Sequence, residues 1–412
     1  MEDGVAEIIM TVRGPVAPAD LACGPIVCRE WLLNDQALLL EHVTDKTHRK
    51  HQPGDVVRLE NLAMVRRRPF CFLHNMHLSL TDSVAELGGP VRARGKVLIV
   101  VCTPRQHWPQ PLPQERAREL LELTRQAVDA QIVCSTAPVL SSLTAESDFE
   151  SEVARLVSDL AMGYSGGGSS VVRPGLLGEI QLGHVGKHPG AALALRVCVE
   201  TQLRTRAPLL LSGSVSTEAY AILKGEAGPP GREAACIWRK CAFFDVPESS
   251  PVSSAELAAN GAFLGFCPPH GAADIARPYD GDRPWKTEEH FLRSVSEAPP
   301  KQALISTGLR FRTDLASGGG AGLDYALQLV EDAGQLNLRS FTDAALEFLQ
   351  YPWKPPIPPE EVEQKIQCHW CGTWKKAGTH FSKFNFDYCA PKCLTAHRKA
   401  DFAPDARSEV VQ

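Results

Sequence analysis

The sequence predicts an α/β chain: a (β/α)8 barrel followed by a small zinc-binding domain. Three observations carry that prediction. Short apolar strands alternate with amphipathic helical stretches, a proline-rich break falls near residue 351, and two close cysteine pairs lie beyond the break. With 412 residues, 44% of them hydrophobic, the chain can bury one large core and a small appendage.

The strands come in order. "GPIVCREWL" (24–32) is the first, and "KVLIVVCTP" (96–104) precedes the helical "PQERARELLELTRQAVDA". "QIVCSTAP" (131–138) precedes the helical "SDFESEVARLVSDLAMGY", and "GLLGEIQLGH" (175–184) precedes "GAALALRVCVETQLRTR". "APLLLSGS" (207–214), "ACIWRKCAFF" (235–244), "GAFLGFC" (261–267) and "QALISTGL" (302–309) complete eight, with "SVSTEAYAILKG" and "KTEEHFLRSVSEAP" as helices among them. Near-continuous apolar strands separated by helices imply parallel strands covered on the outside, and eight such units favour closure over an open sheet. Residues 45–95 break the alternation and read as an insertion within a barrel spanning 1–350. "YPWKPPIPPEEV" (351–362) carries five prolines and reads as a semi-rigid connector to a module at 363–412.

Composition excludes several classes. A net charge of −5 gives no global nucleic-acid footprint. "MEDGVAEIIMTVRG" lacks the apolar run of a signal peptide, and no stretch of about 18 apolar residues offers a membrane span. Thirteen cysteines, an odd number scattered through apolar segments, fit reduced thiols in an intracellular, cytoplasmic chain. A cytoskeletal, ciliary or organellar assembly stays open.

In such barrels chemistry sits at the C-terminal strand ends. Here those ends offer Arg29, Glu30 and Trp31, then Glu179, Ser212, Lys240, Cys267, Thr307 and Gly308. "TVRGPVAPADLACGPIVCREWLLND", "GLLGEIQ" and "ALISTGLRFRTDLASGGGAGLDYAL" resemble segments of phosphotriesterase-related proteins, binuclear-metal amidohydrolases, over about residues 8–350. The resemblance implies two metal ions held by an HxH pair on strand one and a Lys or Glu on strand four. One His each on strands five and six and an Asp on strand eight complete the set. Carried onto this sequence, the HxH seats hold Arg29 and Trp31 around Glu30, and the strand-four seat holds Glu179. The strand-five seat holds Ser212, the strand-six seat falls on or near Lys240, and the strand-eight seat holds Gly308. Glu179 is the one competent ligand left, and a lone carboxylate cannot hold a divalent ion that ordinarily takes three protein ligands.

Glu179 therefore reads as a buried carboxylate paired with Arg29 or Lys240. A sharper reading lets the two cations replace the metals and bind an anion. A rearranged single-metal hydrolase site around Glu179, His184 and His188 is the main alternative to a pseudoenzyme. "GHVGKH" puts the two histidines four apart, but its glycine and the following Pro189 argue for a loop. Ser212 lacks a G-x-S-x-G elbow, and "ASGGGAGLD" lacks phosphate-loop spacing.

The C-terminal module reads C-x2-C-x17-C-x3-C, through Cys368, Cys371, Cys389 and Cys393, with His397 four residues on. Two close pairs at this separation predict one structural zinc, with His397 or His380 as substitute fourth ligands. The second pair resembles treble-clef and MYND-like fingers. A tail this short has almost no core of its own, so zinc would supply its folding energy. Its lysines and aromatics suit a single nucleic-acid strand or a protein surface equally in kind. An acidic host without a second finger favours protein contact. The prediction is thus an inactive barrel acting as a structural or adaptor protein within a larger assembly, with protein partners and no membrane span, and with nucleic-acid binding through the finger as the weaker alternative.

Overall fold

All eight strands form, each pairing in parallel with its neighbour in sequence. The protein is seen here as a computed structural model that describes residues 6–22, 24–33, 56–67, 72–102, 114–139, 143, 145–165, 171–188, 190–226, 235–269, 287–334, 336–353, 365–368, 370, 373–376, 381–383 and 386–399. The chain divides into two units, Met1–Trp353 and Lys354–Gln412.

In the first unit the strands are β1 (Ile26–Glu30), β2 (Val97–Val101), β3 (Ala130–Thr136), β4 (Leu176–Gln181), β5 (Leu209–Ser212), β6 (Cys241–Phe244), β7 (Phe263–Phe266) and β8 (Ala303–Ile305). They form one sheet in the order β1 to β8. The seam between β8 and β1 is closed by a side chain: Ser306 Oγ accepts from Arg29 N (2.8 Å) and donates to Arg29 O (2.9 Å). Beyond it Trp31 N donates to Leu309 O at 3.0 Å.

Side chains alternate across the sheet with the two-residue strand period. Leu98, Val100, Leu210, Ala242 and Leu304 pack in one cluster inside the barrel. Leu209, Leu211, Phe243, Leu264 and Ile305 belong to a second cluster that meets the outer helices. Each fully buried side chain of this size contributes about 1.5–3 kcal/mol. Gly265 makes room for the inward ring of Phe244, because a Cβ there would lie 2.3 Å from that ring.

The covering helices are α1 (Leu80–Arg94), α2 (Gln114–Gln126), α3 (Phe149–Met162), α4 (Ala191–Thr205), α5 (Thr217–Leu223), α6 (Ser254–Ala259), α7 (Glu288–Glu297), α8 (Tyr325–Asp332) and α9 (Leu338–Leu349). Ser79, Ser216, Ser253 and Thr287 cap α1, α5, α6 and α7, each accepting from a backbone N–H three residues on.

Regular structure lies within both the expected insertion and the expected connector. Residues 80–94, inside the expected insertion, are α1, the helix that joins β1 to β2. Tyr351–Pro352, inside the expected connector, pairs antiparallel with Glu7–Ile8 of an N-terminal hairpin and so belongs to the barrel unit.

The second unit holds two small hairpins, Lys365–Gln367 with Trp374–Lys376 and Phe381–Lys383 with Phe386–Tyr388, followed by the helix Pro391–Lys399. No described helix is long and apolar enough to cross a membrane.

Candidate functional site

The mouth of the barrel is built by two irregular strands. Ile26 and Cys28 belong to the inner cluster and Val27 to an outer one, so plain alternation would send Arg29 outward. The register of β1 against β2 slips between Val27 and Glu30, and beyond the slip Arg29 reaches the mouth. In β4 the register against β5 slips between Leu177 and Ile180, which brings Glu179 to the same place. Re-aiming a side chain in this way is a common use of such irregularities. Gly178 permits the second slip: its φ is +109°, and a Cβ there would lie 2.3 Å from Leu210 O.

Arg29 is the hub, at 1% exposure. Its Nη2 donates to Glu179 Oε1 at 2.6 Å and its Nη1 to Asp245 Oδ2 at 2.7 Å. The guanidinium lies 5.8 Å from the centre of the Phe244 ring. Trp31 Nε1 donates to Glu179 Oε2 at 2.9 Å, and Ser212 Oγ donates to Glu179 Oε1. Protein donors thus engage both Glu179 oxygens, and Asp245 Oδ1 accepts from Cys267 N at 3.1 Å. The charges that would hold a divalent ion are turned toward a guanidinium. Among the described residues, the donors at the mouth do not gather as a metal-ligand group.

Electrostatics follow from that geometry. Burial pushes the Glu179 carboxyl up, but the charge and hydrogen bond of Arg29 outweigh it and bring the pKa down to about 2. Burial works against the charge of Arg29, yet Glu179 and Asp245 hold it well above the ordinary arginine value.

Glu30 is not part of this group. Its Oε1 accepts from Ser306 Oγ (2.6 Å), Thr307 N (2.7 Å) and Gly308 N (3.1 Å), and its Oε2 from Leu309 N (2.7 Å). Burial pushes its pKa up to about 7 against the pull of those four donors. Glu30 staples the end of β8 to β1.

The two carboxylates carry opposite pH signatures. A folded pKa below the unfolded value gives stability that is present above pH ~4.5 and lost as pH falls toward 2; this is Glu179. A folded pKa above the unfolded value gives stability that is lost as pH rises toward 7; this is Glu30. The stability gap between wild type and Glu179→Gln should therefore narrow as pH drops from about 5 to 3. Urea midpoints at a series of pH values read it directly, and a constant gap would contradict the ion pairing.

Several expected residues land elsewhere. Lys240 does not reach the mouth. It precedes β6 at the opposite end of the barrel, where its Nζ donates to Glu347 O and Gln350 O, both 2.5 Å, and closes the C-terminus of α9. Gly308 offers only its backbone N–H, and Thr307 turns its hydroxyl to Leu323 O at 2.7 Å. His184 ends a single 3-10 turn, and His188 follows in a turn whose N–H returns to His184 O at 2.9 Å. Among the described residues, Glu179, His184 and His188 do not gather as a metal-ligand group.

Sequence reasoning missed Asp245 and Arg310. Asp245 is the first polar residue after "CAFF", a signal that was available at the end of β6. Arg310 lies with its guanidinium 4.4 Å from the centre of the Trp31 ring, a cation–π contact that no motif announces.

In the C-terminal unit, Cys368, Cys389 and Cys393 bring their sulfurs within 4.8 Å of one another. Cys368 follows the first hairpin strand, and its N–H donates to Thr373 O at 2.9 Å. Cys389 follows Tyr388, and Cys393 sits in the first turn of the helix, 3.4 Å away sulfur to sulfur. Three converging thiols suit zinc, which takes thiolates in tetrahedral sites. Cys371 and His380 lie outside the described residues. His397 is buried, with Nδ1 3.0 Å from Tyr388 Oη, and its ring packs 5.4 Å from Trp370. Among the described residues it is not a member of the sulfur cluster.

Comparison with known proteins agrees with both halves. Residues 364–405 match the family model of the Vms1-associating treble clef domain. No curated protein matches the chain. Among solved structures, a resiniferatoxin-binding protein from Rhodobacter sphaeroides superposes with a TM-score of 0.65 at 20% identity, covering 84% of this chain and 95% of that one. A lactonase from Listeria monocytogenes gives 0.52 at 17%, covering 84% and 100%. The phosphotriesterase homology protein from Escherichia coli, complexed with phosphate in its active site, gives 0.51 at 15%, covering 80% and 99%. The chain thus joins a barrel with the fold of phosphotriesterase-homology and lactonase proteins to a C-terminal treble clef that matches the Vms1-associating family.

Proposed function

We propose that this chain is a catalytically inactive, phosphotriesterase-like protein that works as a structural or adaptor subunit through its barrel surface and a single-zinc treble clef. One observation carries the reading. Arg29 lies between Glu179 and Asp245 at 2.6 and 2.7 Å, so a fixed side-chain cation sits among the carboxylates that remain. Metal-assisted hydrolysis needs an ion that lowers the pKa of a bound water to about 7. A guanidinium neutralises the carboxylates without supplying a Lewis acid or an open coordination position.

Zinc in the finger would be held by Cys368, Cys389 and Cys393, with Cys371 as fourth ligand by spacing. The name of the matching domain family records an association with Vms1, which supports a protein partner for this module. Buried thiols such as Cys28, Cys102 and Cys198 support a reducing, intracellular setting.

The test is elemental analysis joined to an activity assay. The full chain is expected to hold about one zinc, and a chain lacking residues 363–412 none. Neither should hydrolyse phosphotriesters or lactones when divalent ions are added. Metal retained by the shortened chain, or metal-dependent turnover, would overturn the proposal.

A further inference from the structure

The outer layer of the barrel is thin over β7. There α6 has 6 residues and α7 has 10, where α4 has 15. Between α6 and α7 runs a groove of about 610 Å³ that reaches Val246, Leu264 and Phe266, members of the cluster outside the barrel. Its walls are small side chains, Ala255 and Ala258 on α6, Ser294 and the C-cap Ala298 on α7. Side chains this short let a further element come close to the apolar floor. The rim is acidic: Glu248 and Glu297 line the groove, and among the described residues no Lys or Arg does. Glu248 Oε1 lies 3.2 Å from Nε2 of His290, in the first turn of α7. Glu297 closes the last turn, where the helix dipole is negative and no basic residue of that turn offsets it. At 1.5 Å of rise per residue, the seven positions from His290 to Glu297 set the two carboxylates roughly 10 Å apart along α7.

We propose that this groove receives an amphipathic helix of a protein partner, apolar toward Leu264 and Phe266 and carrying two basic residues seven positions apart. The charge sets the sign of the partner, since a carboxylate stands near each end of an otherwise apolar trough. An anionic lipid surface or a nucleic acid would be repelled by both. The spacing sets its form. Positions i and i+7 of a helix share one face and lie two turns, about 10 Å, apart, which matches the two carboxylates. Positions i+3 and i+4 then fall between them, over the apolar floor, in the usual manner of a helix laid in a groove. This inference rests on the adaptor reading and deepens it, by naming the part of the barrel surface that would hold a partner and the chemistry of that partner.

Fluorescence anisotropy of a labelled helical peptide, titrated with the full chain, tests it. The peptide carries Lys at i and i+7, Leu at i+3 and i+4, and Ala and Gln elsewhere. It is expected to bind at micromolar concentration and more weakly as salt rises, whereas the same peptide with both Lys replaced by Glu should not bind. Glu297→Lys and Ala255→Trp, both at exposed positions, should leave the melting temperature of the barrel unchanged and weaken binding about tenfold or more. Glu60→Lys makes the same change of net charge at an exposed position that does not line the groove, and should bind as the wild type does. The proposal is overturned if the Lys peptide does not bind the wild type, or if Glu297→Lys and Ala255→Trp bind it unchanged. It is overturned equally if Glu60→Lys weakens binding as much as Glu297→Lys. Self-association of the wild type that Ala255→Trp abolishes would give the groove to a second copy of this chain and overturn it too. Any of these results leaves the adaptor reading standing, which falls instead on metal-dependent turnover.

Discussion

Arg29→Met is expected to destabilise the barrel by about 3–5 kcal/mol, the cost of leaving buried charges without their partner. Glu179 is 0% exposed and Asp245 is 3% exposed, so neither can turn to water when the guanidinium goes. The loss should also reach Trp31, whose Nε1–H is aimed at Glu179. Arg29→Lys should recover only part of the stability, because an ammonium cannot fork to Glu179 and Asp245 at once. Adding Glu179→Gln and Asp245→Asn to Arg29→Met should restore most of it, since removing a whole buried charge group is far cheaper than removing one member. Urea unfolding of the four proteins, monitored by tryptophan fluorescence, gives the comparison. An Arg29→Met protein within about 1 kcal/mol of wild type would mean that the network is solvated and that its charges do little.

Cys389→Ser should have the second large effect, confined to the C-terminal unit. Structural zinc in small fingers contributes on the order of 10–16 kcal/mol of binding energy, and that energy is the folding energy of the module. The local hydrophobic cluster is small, with Cys368, Tyr388 and Cys393 as its buried members. Replacing Cys389 should therefore drop zinc content from about one per chain toward zero. It should open residues 365–399 to protease while leaving the melting of the barrel unit unchanged. His397→Ala is the informative control. Its Nδ1 engages Tyr388 and not the sulfur cluster, so the variant should keep its zinc and lose only some stability. Loss of zinc in His397→Ala, with retention in Cys389→Ser, would reverse the ligand assignment.

The strands were legible because their runs are apolar, short and bounded by turn residues. "KVLIVVCTP" and "APLLLSGS" admit few other readings. α1 was not legible, since "LTDSVAELGGPVRAR" carries Gly88, Gly89 and Pro90, residues that normally stop a helix. Burial of Leu87 and Pro90 against the barrel overrides that local preference. The mouth was half legible. The sequence placed Arg29, Trp31 and Glu179 at strand ends, but their meeting depends on two register slips that no single sequence displays. Lys240 was misplaced by a related cause. Trp238–Lys240 forms one tight turn before β6, so the apolar run "ACIWRKCAFF" contains a strand only in its last four residues.

The staple at Glu30 has a consequence during synthesis. Its partner Leu309 lies 279 residues downstream. At about 5–20 residues per second, roughly 15–55 s separate the two leaving the ribosome. For that interval β1 has a carboxylate and an edge with nothing to close them, and the nascent chain is an open sheet rather than a barrel. A ribosome stalled short of residue 309 would hold a chain whose first strand is still available to other strands, which is where chaperone capture and misassembly would compete with closure.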